Sequence, residues 1–103
     1  LERILRNLID NARLHGAPPV GVNAAAAEGR LIVTVRDHGP GIAPVLRRRI
    51  FEPFERGAAS ADRPGLGLGL WIARDLARRA GGDLDLLAPR PPGATFRVTL
   101  PFA

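Results

Sequence analysis

The chain predicts an α+β fold: a two-layer sandwich with helices on one face of a mixed, mostly antiparallel sheet. Three observations carry this. Apolar residues recur at helical spacing over 1–15 and again over 70–80. Four short stretches rich in Val, Ile, Leu, Thr and Ala form two pairs, 20–27 with 30–36 and 83–87 with 95–100. Each pair is joined by a turn, so the strands are hairpins. Hairpins with helices between them place the helices on one side of the sheet.

The first helix is LERILRNLIDNARLH. At about 100° per residue, Leu1, Ile4, Leu5, Leu8 and Ala12 share one arc, with Ile9 at its edge. Glu2, Arg3, Arg6, Asp10 and Arg13 fall opposite. Asn7 and Asn11 stack one turn apart at the border between the arcs. Gly16 stops the helix, and Pro18-Pro19 confirms the break. Val20 to Ala27 follows as a strand, Glu28-Gly29 turns, and Arg30 to Arg36 is the clearest strand of the chain. Its Leu31, Val33 and Val35 point one way, Ile32 and Thr34 the other.

Asp37-His38-Gly39-Pro40-Gly41-Ile42 comes next, and Ala43-Pro44 opens a short helix to about Ile50. Phe51-Glu52-Pro53-Phe54 closes that unit. Arg56 to Pro64 has no periodic pattern and reads as a loop. Gly65-Leu66-Gly67-Leu68-Gly69-Leu70 leads into the second helix, Leu70 to about Ala80, with Leu70, Ala73, Leu76, Ala77 and Ala80 on its apolar face. Gly81-Gly82 ends it. Asp83 to Leu87, the turn APRPPG and Thr95 to Leu100 complete the order.

A chain of 103 residues forms one domain, 1–103, and its 46% hydrophobic content suffices for one core. No run of about 18 apolar residues is present, and the start of the chain does not have a signal-peptide pattern. Without cysteine there is neither a disulfide framework nor a thiolate metal site. The net charge of +5 comes from fifteen arginines and no lysine. These arginines are dispersed and aromatics are few, so a nucleic-acid partner is not expected; an anionic small ligand fits the field better.

Two common nucleotide signatures are excluded. A phosphate loop ending Gly-Lys-Ser/Thr needs a lysine. A dinucleotide fingerprint needs a third glycine that Gly39-x-Gly41 lacks. Three local patterns remain, each with two readings. Asn7 and Asn11 are either boundary amides or a row facing a cleft, where a carboxamide oxygen holds Mg²⁺ and its NH₂ meets phosphate. DHGPG is either a tight turn or a close backbone approach to a flat ligand, with Asp37 accepting from an exocyclic amine. The alternating glycines are either a hinge or close helix–sheet contact, or a phosphate site at a helix N-terminus.

Taken in order, the patterns resemble the catalytic, ATP-binding domain of two-component sensor histidine kinases, a member of the Bergerat-fold ATPases. Asn7-Leu8-x-x-Asn11-Ala12 resembles the N box of that family, and Asp37-x-Gly39-x-Gly41-Ile42 its G1 box. Phe51-x-x-Phe54 looks like the F box, and Gly65-x-Gly67-x-Gly69-Leu70 the G2 box. Gly93-Ala94-Thr95-Phe96 resembles the final Gly-x-Gly-Thr-x-Phe turn, with Ala94 in place of its second glycine.

The resemblance implies roles by position. Asn11 coordinates Mg²⁺, and Asn7 supports metal and phosphates. Asp37 reads the adenine amino group, while Gly39, Gly41 and Ile42 shape the purine pocket. His15 stands where the family has a ring against the nucleotide. Residues Phe54 to Gly65 are the ATP lid; Leu66, Gly67, Leu68, Gly69 and Leu70 form the phosphate run, and Thr95 closes the pocket near Asp37. Arg56 stands where the family often has a phosphate-contacting or catalytic arginine, so catalysis is assigned to Asn7, Asn11 and Arg56. Hydrolysing relatives carry Glu at the Asn7 position; Asn is a poor base, which suits transfer to a histidine. The implied cofactors are ATP and Mg²⁺. The implied partners are the parent kinase's phosphoacceptor and dimerisation domain and, through it, a response regulator. The implied location is cytoplasmic, with a parent that can be anchored in the inner membrane.

Three departures are visible. Leu14 replaces a family Lys or Arg, with Arg13 about 100° away and Arg56 or Arg63 as substitutes. The lid is short. The chain begins inside the N box helix, so the family's preceding strand and helix are not expected here, and an uncovered sheet edge open to self-association is. Neither His15 nor His38 sits in the family's phosphoacceptor pattern. A degenerate docking module and an anti-sigma-type serine kinase are the alternatives.

Overall fold

The computed structural model describes residues 1–47, 49–52, 69–88 and 93–102. In chain order these form helix α1 (Glu2–His15), strands β1 (Gly21–Ala27) and β2 (Arg30–Arg36), and two single 3-10 turns at Pro44–Leu46 and Arg49–Phe51. Helix α2 (Gly69–Arg79) and strands β3 (Asp83–Ala88) and β4 (Thr95–Pro101) follow. The strands make one sheet in the order β1-β2-β4-β3, and every neighbouring pair is antiparallel.

Register explains the core. Leu31, Val33 and Val35 of β2 lie opposite Leu100, Val98 and Phe96 of β4. Leu84 and Leu86 of β3 extend the same rows. Side chains alternate across a strand, so all eight share one face. Ile4, Leu8 and Ala12 of α1, with Leu70, Ala73 and Ala77 of α2, cover that face. Alanine at three of these six positions lets the two helices lie close together. Leu1, expected on the apolar arc, is 49% exposed because it precedes the first helical turn. Ala80, expected on the α2 face, is exposed.

The end of α2 is set by Gly81, whose φ of +91° lies in the left-handed region. That conformation lets the Gly82 N–H donate to the Ala77 carbonyl and the Gly81 N–H to the Arg78 carbonyl. Asp83 then ties α2 to β3. Its Oδ1 accepts from Arg78 Nε at 2.9 Å, from Arg74 Nε at 3.3 Å and from the Leu84 N–H at 2.8 Å. The helix expected over 44–50 is instead two separate 3-10 turns; so short a stretch does not offset the cost of nucleating an α-helix.

The two sheet edges differ. All seven residues of β1 are exposed on both faces, and none carries a charge. The other edge, β3, carries Asp83 and Asp85 and an irregular register between Leu86 and Ala88. Among the described residues no helix is long and apolar enough to cross a membrane.

Candidate functional site

The site begins where β2 runs out. Asp37 follows Arg36 and is the one buried charged side chain among the described residues, 4% exposed. A buried carboxylate needs donors, and backbone groups supply them. Its Oδ1 accepts from the Gly39 N–H at 2.8 Å and from the Ala94 N–H at 3.3 Å. The Asp37 N–H in turn donates to the Ala94 carbonyl at 3.0 Å. Among the described residues both donors meet Oδ1 and none meets Oδ2.

Glycines from three parts of the chain crowd this turn, and one of them, Gly16, abuts the carboxylate. A Cβ on Gly16 would run into the Asp37 carboxyl group. One on Gly39 would lie 2.6 Å from the Gly16 Cα. One on Gly93 would strike the Asp37 carbonyl oxygen, and Gly93 also has φ +96°. Only glycine permits such approach. The tight-turn reading of DHGPG therefore holds, with Gly16 and Gly93 packed against the turn.

Helix α1 enters the site at its C-terminus. Gly16, directly after His15, touches Asp37, and the Gly16 N–H still belongs to the helix through the Ala12 carbonyl. Asn11 stands five residues back, about 7.5 Å along the axis, and Asn7 about 6 Å further. Both amides are half-buried. The Asn7 Nδ2 is fully enclosed and has no hydrogen-bond partner among the described residues. An enclosed donor without an acceptor costs about 1–3 kcal/mol. It suits a ligand that brings acceptor oxygens, as a phosphate does.

Gly69 opens α2, which packs against α1. A Cβ at Gly69 would meet no described atom within 4 Å, so packing does not demand glycine there. Leu70, by contrast, is buried in the core. Ile42 is half-buried against the core, Gly41 turns with φ +78°, and Thr95 is half-buried next to Ala94. His15 and Leu14 are exposed at the end of α1. Phe54, Arg56, Arg63, Gly65, Leu66, Gly67 and Leu68 lie outside the described residues.

Two features were not visible in the motifs. One is the enclosure of Asp37 by Gly16 and by the N–H of Ala94, which needs contacts between distant segments. The other is a stack at Phe51, whose ring meets Phe96 edge-on at 6.1 Å and 87°. The Arg74 guanidinium lies 4.3 Å over the Phe51 ring while its Nε holds Asp83. This stack packs the Phe51 turn onto α2 and β4.

The whole chain, residues 1–103, matches the family of histidine kinase-, DNA gyrase B- and HSP90-like ATPases. The chain belongs to this family. Its relatives place it with the catalytic domains of sensor histidine kinases. It is 41% identical over 102 residues to the signal transduction histidine-protein kinase AfsQ2 of Streptomyces coelicolor, covering 98% of this chain and 19% of that protein. It is 44% identical over 104 residues to the sensor histidine kinase MtrB of Mycobacterium tuberculosis, covering 98% and 18%. The chain thus spans about a fifth of the length of these relatives. Full-length ShkA in complex with AMPPNP superposes with a TM-score of 0.84 at 38% identity, over 98% of this chain and 21% of that one. A mycobacterial sensor histidine kinase, MprB, gives 0.80 at 36%, over 96% and 70%. The Bergerat-type α+β sandwich and membership of this ATPase family are thereby shown for this chain, and its relatives are sensor histidine kinases; the docking-module and serine-kinase alternatives gain no support.

Proposed function

We propose that this chain binds Mg-ATP with the adenine at Asp37 and the phosphates toward Asn7, Asn11 and the first turn of α2. From there it donates the γ-phosphoryl group to a histidine on the separate phosphoacceptor and dimerisation domain of its parent kinase. That histidine then supplies a response regulator, on the cytoplasmic side.

The observation that supports this most is the state of Asp37. Among the described residues one carboxylate oxygen takes both backbone N–H groups and the other takes none, and Gly16 abuts the carboxyl group. An acceptor held so rigidly suits an exocyclic amine on a flat ring. The orphan Asn7 Nδ2 supports the phosphate end. Asn11, whose carboxamide oxygen is a hard donor, is the residue to hold Mg²⁺, with Asn7 beside it. When bound, the ion supplies charge neutralisation on the phosphates. The chain's own part is to orient the triphosphate through the α1 amides and the N–H groups of α2. With Asn rather than a carboxylate at position 7, no side chain of α1 near the phosphates activates water strongly. Arg56 is proposed as a further phosphate contact on its position alone.

The test is titration of the chain with Mg²⁺ and a fluorescent ATP analogue. Saturable binding that competes with ATP, and that falls about 10- to 100-fold in Asp37→Asn, is expected. Binding that Asp37→Asn leaves unchanged would contradict it. Phosphoryl transfer in trans to the parent's phosphoacceptor domain tests the second half.

A further inference from the structure

The wall behind Asp37 starts at Gly16, held to α1 through the Ala12 carbonyl, and continues as a loop short of its own donors. Residues 16–19 run Gly-Ala-Pro-Pro between α1 and β1. Pro18 and Pro19 have no N–H, so this loop offers carbonyls but few donors. Its anchoring donors must come from elsewhere. Two of them come from one residue, His38. The His38 backbone N–H donates to the Ala17 carbonyl at 2.8 Å. The His38 ring nitrogen Nδ1 lies 2.7 Å from the Pro19 carbonyl oxygen. A carbonyl only accepts, so Nδ1 carries the proton. The backbone bond is open to any residue except proline. The ring bond needs a side-chain donor at that reach.

We propose that His38 is a positioning residue for Asp37. Its ring fixes Pro19, this fixes the Gly16 wall against the Asp37 carboxyl, and the wall sets where Oδ2 meets the purine. Nothing in the motif pattern asks for this, since His38 occupies the variable place between Asp37 and Gly39. The inference rests on the nucleotide assignment above and adds to it a determinant of purine selectivity. His38 touches neither nucleotide nor metal in this account; it acts through the loop.

The conservative replacement is known from geometry. An Asn amide places its NH₂ close to where histidine has Nδ1, whereas Gln places it one carbon further out. Dissociation constants for ATP and for inosine triphosphate, which lacks the 6-amino group, are measured by competition against a fluorescent ATP analogue. The proteins are the wild type, His38→Ala, His38→Asn and His38→Gln, with thermal unfolding in parallel. His38→Ala is expected to weaken ATP about five- to tenfold and inosine triphosphate much less, so the preference for ATP shrinks. His38→Asn is expected to restore both affinity and preference to within about twofold, and His38→Gln to fail to.

Unchanged ATP preference in a folded His38→Ala protein would overturn the proposal. So would His38→Asn as weak as His38→Ala, because the loss would then come from the missing ring and not from a missing donor to the Pro19 carbonyl. Should His38→Ala not fold, the contrast between Asn and Gln decides in the same way. Failure of the wild type to bind either nucleotide would remove the ATP assignment and this inference with it. Wild-type binding with no effect of His38 would remove the inference alone.

Discussion

The two ends of the site are built on opposite plans. At Asp37 the protein satisfies itself: backbone donors fill Oδ1, glycines 16, 39 and 93 crowd the turn, and among the described residues no donor meets Oδ2. At Asn7 the protein leaves a donor enclosed and unanswered among the described residues. The first arrangement is complete before ligand arrives. The second, on the proposed function, waits for the ligand's oxygens. Substitutions at the Asp37 end should therefore damage fold and binding together, whereas those at the amide end should separate them.

The largest expected effect is at the glycine wall. Gly93→Ala places a methyl against the Asp37 carbonyl in a left-handed backbone conformation, so about 3 kcal/mol of stability is expected to be lost. Urea unfolding measures it; a loss below about 1 kcal/mol would mean that the turn is soft. Next comes Asn7→Ala, which sharpens the contrast. Nucleotide affinity is expected to fall about tenfold while stability rises by up to about 1 kcal/mol, because the unpaired donor is gone and alanine favours helix. Loss of stability in this variant would show that the amide is structural.

A third prediction lies on α2 at Arg74. Arg74→Met keeps the aliphatic stem but removes the charge over Phe51 and the bond to Asp83. A double-mutant cycle with Phe51→Leu is expected to give a coupling of about 0.5–1 kcal/mol in unfolding. Additive effects would contradict the stack.

The smallest effect concerns pH. Burial works to raise the Asp83 pKa, but the Leu84 N–H, Arg78 and Arg74 together outweigh it, and the net shift is below the usual 3.8. The folded carboxyl is then the stronger acid. Its stabilisation is fully present above the ordinary carboxylate pKa and is lost as pH falls through the lowered folded value. The side chain is 42% exposed, so solvent screens the pair and the contribution is small. Asp83→Asn is expected to be slightly less stable than wild type at pH 7 and to converge with it as pH falls through the lowered carboxyl pKa. A gap that widens on acidification would reverse the sign.

Much of this was legible in the sequence because it is local. The period of α1 gave Ile4, Leu8 and Ala12, and alternation in β2 gave Val33 and Val35. Asp37 stood out because a carboxylate at the end of an apolar strand is unusual. What the sequence hid is what long-range contact creates. Gly16 read only as a helix stop, although it also makes room for Asp37. Ala94 read only as a departure from a turn motif, although its N–H holds the carboxylate. His38 carried no signal, since its partner Pro19 is nineteen positions away. The helix expected over 44–50 failed for a local reason, as its apolar pattern is too short to propagate.

The account stands or falls on where the nucleotide lies. A crystal structure of this chain with Mg²⁺ and a non-hydrolysable ATP analogue would show it directly. The expected result has the adenine amino group within hydrogen-bond reach of Asp37 Oδ2, and phosphate or metal at Asn7 and Asn11. An adenine bound away from Asp37, or phosphates turned away from the α1 amides, would contradict it.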